Sequence, residues 1–228
     1  MHIILLLILI GAVIFLPQWW VKRVLATYRQ PDDRYQGTGG ELARHLLDRL
    51  GLESVGVERS EPGADHYDPE ARMVRLSPEH HDGASLTAVT VAAHEVGHAI
   101  QHADGYKPLV WRTKLVQAVQ RFQRIGVVLI ALAPLAMVLL RLPRAGLIML
   151  MLAIAALASG IVVHIMTLPT ELDASFRRAM PLLEKGEYLK PEDRPHARRI
   201  LRAAAFTYVA ASLMSLVNFW WWLRVLRP

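Results

Sequence analysis

The apolar residues of this chain are gathered into four runs, and few folds are open to such a chain. Residues 3–16 are almost unbroken Ile, Leu and Val, and residues 125–140, 146–168 and 203–223 are similarly apolar. Hydrophobic residues make up 53% of the 228 positions, above the usage of ordinary soluble domains. A helix of about 20 apolar residues crosses the hydrocarbon of a bilayer and satisfies its own backbone hydrogen bonds there. Trp19 and Trp20 precede Lys22 and Arg23, and Phe219-Trp220-Trp221-Trp222 precedes Arg224. Aromatic residues next to cations mark the membrane interface. Arg141-Leu142-Pro143-Arg144 separates the second and third runs as the polar turn of a hairpin. The first run lacks a positive leading region and an Ala-x-Ala-like cleavage site, so it reads as a retained anchor.

Four spans place both termini on one side of the membrane, and residues 17–124 and 169–202 on the other. The expected divisions are an anchor at 1–21, a folded domain at 22–124, a membrane hairpin at 125–168, a polar segment at 169–202 and a last span at 203–228. Lys22, Arg23, Arg29, Arg112, Lys114, Arg121, Arg124, Arg177, Arg178, Arg198, Arg199 and Arg202 fall on the domain side. Arg141, Arg144, Arg224 and Arg227 fall on the other. The positive-inside rule then makes the domain side cytoplasmic. The net charge of +6 resides beside the spans, which points to anionic lipid headgroups rather than nucleic acid. The chain has no cysteine, which excludes disulfides and thiolate ligands.

Within the domain, residues 94–98 read His-Glu-Val-Gly-His. On a helix, residues four apart share a face, so His94 and His98 can direct imidazole nitrogens at one metal ion. Glu95, beside the first histidine, can act on water there, which is the chemistry of a zinc peptidase. The flanks support a helix: Ser85 is a good N-cap, no proline falls between Leu86 and Ala103, and Gly97 is the single glycine. Ala88, Val91, Ala92, Val96, Ala99 and Ile100 around the motif predict that this helix is buried.

A catalytic zinc needs a third protein ligand and an open position. His102 shares the face, but three successive turns of a straight helix span about 12 Å, too far for one ion. Asp104 has the spacing of a metzincin third ligand, but the glycine that would turn the chain back is Gln101 here. Glu171, in Pro169-Thr170-Glu171-Leu172-Asp173-Ala174-Ser175, is preferred. Thr170 is expected to N-cap a second helix with Glu171 in its first turn, which is the gluzincin arrangement. Asp173 and Ser175 are candidates for bracing the ligands. His66, Tyr67 and Tyr208 are candidates for stabilising an oxyanion. His164 lies late in the third run, where an intramembrane histidine is a functional-site candidate, the alternative being that it only faces the bundle near the interface. Arg177 and Arg178 read as surface or headgroup charges.

The remainder of the domain predicts a small α+β unit. Thr38-Gly39-Gly40 leads into a helix over 41–50 with Gly51 at its C-terminal end. Residues 55–59 read as a strand, and residues 66–77 as two short strands around a Pro-containing turn. A sheet beside the metal helix would offer an edge to an extended peptide.

With these residues in place, the chain resembles the YugP-type bacterial membrane zinc metallopeptidases. The likeness is carried by Thr38-Gly39, Asp65-His66-Tyr67-Asp68-Pro69 and Val74-Arg75-Leu76-Ser77. It continues through Ser85–Val89, Val91–Gln101, Tyr106-Lys107-Pro108-Leu109, Thr167–Ser175 and Leu201–Ala211, and so covers nearly the whole chain in order. The family often has Val-Glu-Phe-Asp-Ala-Ser where this chain has Thr170-Glu171-Leu172-Asp173-Ala174-Ser175. The resemblance implies a membrane-embedded, gluzincin-like peptidase holding one Zn2+ on His94, His98 and Glu171, with Glu95 as general base.

The fold expected is therefore mainly α, with four transmembrane helices and a small zinc peptidase domain carrying a short sheet. The expected function is hydrolysis of peptide bonds at the membrane surface. Its partners would be a peptide or membrane-protein substrate and the bilayer, with homo-oligomerisation left open. The alternative from another class is a silent membrane scaffold with a structural zinc site, although a structural site needs no glutamate base and usually has a closed shell. A transporter is a third reading, disfavoured by spans carrying few ionisable residues.

Overall fold

The computed structural model describes residues 2–206. The chain is mainly helical with one three-stranded sheet. It forms two compact units. Among the described residues, the first comprises Phe15–Leu109 and residues 168–206, and the second comprises residues 2–14 and Val110–Thr167.

The first unit is built around one buried helix. α1 (His2–Thr27) enters it, and Val21 and Val24 of α1 lie in the core. α2 (Gly39–Arg49) starts with a capping box: the Glu41 amide donates to Thr38 Oγ1 and the Thr38 amide to Glu41 Oε2. Two orphan amides of the first turn are thereby satisfied. Glycine is needed at position 39 because a Cβ there would lie 2.2 Å from the His80 carbonyl oxygen and 2.8 Å from that of Ala88. Gly51, with φ +69°, follows α2 as expected for a helix end.

β1 (Gly56–Arg59), β2 (His66–Asp68) and β3 (Met73–Leu76) form the sheet in the order β1-β3-β2. β1 runs parallel to β3 with Val57 opposite Val74, and β2 runs antiparallel to β3 with Tyr67 opposite Val74. Asp68 Oδ1 accepts from the Glu70 and Ala71 amides and closes the turn between β2 and β3. Asp65 accepts from the Ser77 amide and hydroxyl and from His80 Nδ1, pinning β3 to the short α3 (Pro78–His81). α4 (Leu86–Ala103) follows, with Ser85 accepting from the Ala88 amide as N-cap. It is buried on every side, and packs against α2, α3, the sheet and α8 (Met180–Lys185).

The second unit holds α5 (from Lys107 to Pro134), a π-helical stretch at Leu135–Leu139, α6 (Pro143–Ala158) and most of α7 (Gly160–Leu172). The polar turn at Arg141 (φ +51°) reverses the chain, as the hairpin expectation requires. Gly126 lies against Ala153 and Ala156, and Gly146 against Ala133. Small residues thus let α5 and α6 approach closely, as in helix pairs that cannot rely on water to drive them together. Val128, Leu132, Val138, Leu147, Ile148 and Met151 are exposed.

One expectation is met in part and one changes. Among the described residues, one helix, Lys107–Leu139, is long and apolar enough to cross a membrane. α6 is apolar but shorter, and the run at 146–168 is divided at Ser159 between α6 and α7. The fourth run lies almost wholly outside the described residues. Thr170 does not cap a new helix: α7 continues through Pro169 to Leu172, so Glu171 sits at its C-terminal end, and a π-helical segment, Asp173–Ala179, follows. The wider winding extends the helical path where an N-terminus was expected.

Candidate metal centre

α4 places His94 and His98 one turn apart on a buried face, with ring centroids 4.8 Å apart and planes at 77°. The end of α7 brings Glu171, 1% exposed, onto the same face. Glu171 Oε2 lies 3.2 Å from His94 Nε2 and 3.3 Å from His98 Nε2. All three atoms lie within 4.8 Å of one another, a grouping that could hold a metal ion. The approach of the two segments depends on Gly97, where a Cβ would lie 2.7 Å from the Ala174 carbonyl oxygen. Glu95, next to His94, is also buried.

A second ring of polar groups sets how the histidines point. Ser175 Oγ lies 3.1 Å from His94 Nδ1, and Gln101 Oε1 lies 3.0 Å from His98 Nδ1. Gln101 is fully buried, and its amide nitrogen donates to the Thr170 carbonyl at 2.9 Å and to Asp173 Oδ2 at 2.8 Å. Its oxygen must therefore face His98 and accept. That assigns the His98 proton to Nδ1 and leaves an Nε2 lone pair facing Glu171. Ser175 can accept from His94 Nδ1 in the same way. Two imidazole lone pairs and a carboxylate oxygen then converge in a water-poor space, which a cation stabilises. The spacing fits as well: four ligands about 2.0–2.1 Å from a tetrahedral zinc stand about 3.3 Å apart, close to the two histidine–carboxylate separations.

Without an ion, burial alone would push the Glu171 carboxyl up, but attraction to His98 and hydrogen bonds from His94 and His98, with a proton on Nε2 in place of the metal, outweigh it and hold it well below the ordinary carboxylate range. For Asp173, burial is outweighed by hydrogen bonds from Arg178 and Gln101, and its carboxyl is also held low. Arg178 Nε donates to Asp173 Oδ2 at 2.8 Å and its Nη1 to Asp104 at 2.5 Å. A chain of polar contacts therefore runs from His98 through Gln101 and Asp173 to Arg178 and Asp104.

Several residues singled out from the sequence lie elsewhere. His102 Nδ1 lies 2.7 Å from the Tyr67 hydroxyl, and Asp104 pairs with Arg178, so neither joins the group. His66 is exposed on β2, with Nδ1 bonded to the Ala64 carbonyl. Tyr208 lies outside the described residues. Asp173 reaches His98 only through Gln101, while Ser175 contacts His94 directly. Arg178, read as a surface charge, is in fact largely shielded, with 16% of its side chain exposed. Gln101 and the Asp173–Arg178 pair were missed. Gln101 has a visible signal, a polar residue three past His98 on an apolar helix. Asp173 and Arg178 are five apart, which is off-face on an α-helix but accommodated by π-helical winding.

Comparison with known proteins agrees with this geometry. A family profile described as "Putative neutral zinc metallopeptidase" matches residues 3–227. The chain is 36% identical over 203 residues to a Bacillus subtilis (strain 168) protein named "Putative membrane protease YugP", covering 89% of this chain and 86% of that protein. No solved structure matches. The chain belongs to the neutral zinc metallopeptidase family.

Proposed function

We propose that the protein is an integral-membrane zinc endopeptidase of gluzincin type, cutting peptide bonds at the membrane surface. The observation that carries the reading is the convergence of His94 Nε2, His98 Nε2 and Glu171 Oε2 on one buried point beside Glu95. In this reading the three side chains hold one Zn2+. Zinc, when bound there, supplies the Lewis acidity that makes water acidic near neutral pH. Glu95 takes a proton from the attacking water on its carboxylate and returns it to the leaving amine. Gln101 and Ser175 hold the imidazoles in one tautomer and orientation.

The helix at Lys107–Leu139 and the exposed apolar residues of the second unit support a membrane location. A four-span topology is part of the proposal. It sets Glu171 on the same side as the α4 histidines, and the cation bias makes that side cytoplasmic. The substrate class is a peptide or a membrane protein presented at the interface. Glu95→Gln, purified with zinc and assayed against a quenched-fluorescent peptide library, is expected to retain wild-type zinc content. Its cleavage should fall by roughly a hundredfold or more. Unchanged cleavage would remove Glu95 from the mechanism.

A further inference from the structure

At the Asp173–Arg178 pair, the first unit has a cavity of about 650 Å³ lined in part by Leu46, Leu50 and Leu182. Arg49, Arg177, Arg178 and Lys185 line it, together with the carboxylate of Asp173. Asp173 is already engaged by Arg178 and Gln101. Arg49 donates to the neutral Tyr188 hydroxyl at 2.9 Å, and Arg177 approaches Asp173 only at 4.0 Å. Lys185 is exposed at the end of α8. The lining therefore carries an excess of positive charge beside apolar Leu46, Leu50 and Leu182, and includes none of His94, His98 and Glu171.

We propose that this cavity binds a phosphate-bearing anion, with Arg49, Arg177 and Lys185 around the phosphate and any attached apolar chain against Leu46, Leu50 and Leu182. Guanidinium forks match phosphate oxygens two at a time. Inorganic phosphate and phosphate monoesters carry up to two negative charges near neutral pH, and a diester headgroup carries one over two oxygens that neighbouring cations can share. The shared chemistry could come from a lipid headgroup or from free phosphate. The site is independent of the peptidase reading.

The test is calorimetric titration of the full-length, zinc-loaded protein in neutral detergent with inorganic phosphate and, separately, with dioctanoyl phosphatidylglycerol. The matched phosphatidylcholine and an acidic peptide serve as comparators. Binding of either of the first two is expected, weakened about tenfold or more in Arg177→Ala/Lys185→Ala. It should persist in Arg199→Ala, an exposed cation outside the cavity. Tighter binding of the lipid identifies a headgroup site, and equal affinity identifies a phosphate site. Arg177 is 82% exposed and Lys185 exposed, so the double variant should fold; Lys185→Glu alone provides a second reading with the same expected loss. Absence of binding, binding that survives both variants (as phosphate on the metal group would), or binding of the acidic peptide alone would overturn the proposal.

Discussion

Gly97→Ala tests how closely the fold of this protein is tied to the proposed metal centre. A Cβ at position 97 would lie 2.7 Å from the Ala174 carbonyl oxygen, 3.3 Å from its carbon and 3.4 Å from its Cα. Ordinary contact begins at 3.4 Å, so the backbone at Ala174 must retreat by about 0.7 Å. Overpacking of this kind costs about 1–3 kcal/mol, and removing glycine from a helix returns about 1 kcal/mol. The net loss of stability is therefore modest, about 0–2 kcal/mol. The effect on the metal is larger, because Ala174 lies three residues past Glu171 and metal–ligand distances tolerate only about 0.2 Å. Zinc affinity, measured by competition with a fluorescent chelator, should fall roughly tenfold or more while apo-protein Tm shifts little. Wild-type zinc affinity in Gly97→Ala would refute the reasoning, because Glu171 would then not depend on the contact between α4 and the π-helical segment.

Gln101→Leu keeps the volume but removes the partners of His98 Nδ1, the Thr170 carbonyl and Asp173. Chelator competition should show zinc affinity about 10–100-fold weaker, and denaturant titration should show a loss of about 2–4 kcal/mol. Asp65→Ala strips the buried Ser77 and His80 of their shared acceptor and should cost about 2–4 kcal/mol in the same assay. Asp193 is buried and accepts from Arg34 at 2.6 Å through two nitrogens and from the Tyr35 hydroxyl at 2.6 Å. Burial pushes its carboxyl up, but these partners outweigh it and the group is held low. A carboxyl lowered on folding stabilises above its unfolded pKa, about 3.9. That stability is lost as pH falls through the folded value. Asp193→Asn should therefore be less stable at neutral pH, and its Tm should fall less steeply than wild type below about pH 4.

Local patterns were the readable part of this fold. The cap at Ser85, the absence of proline and the apolar face gave α4 its observed limits, Leu86–Ala103. Alternation and turn residues gave the three short strands. The parallel pairing of β1 with β3 was not readable, because it joins segments through tertiary packing rather than a turn. Glu171 was recognisable as a partner for the histidines by its chemistry, but not by its local structure. Proline and threonine at 169–170 imitate a helix start, yet α7 passes through them because its continuation is packed against α4. The same π-helical winding brings Arg178 to Asp173, a pairing that α-helical periodicity does not suggest.

The central claim is that His94, His98 and Glu171 together hold the zinc. The measurement that tests it most directly is the zinc-to-protein ratio after dialysis against a weak chelator, for wild type, Glu171→Ala and His102→Gln. About one ion per chain is predicted for wild type and for His102→Gln, with loss of retained zinc in Glu171→Ala. Full zinc in Glu171→Ala, or its loss in His102→Gln alone, would contradict the account.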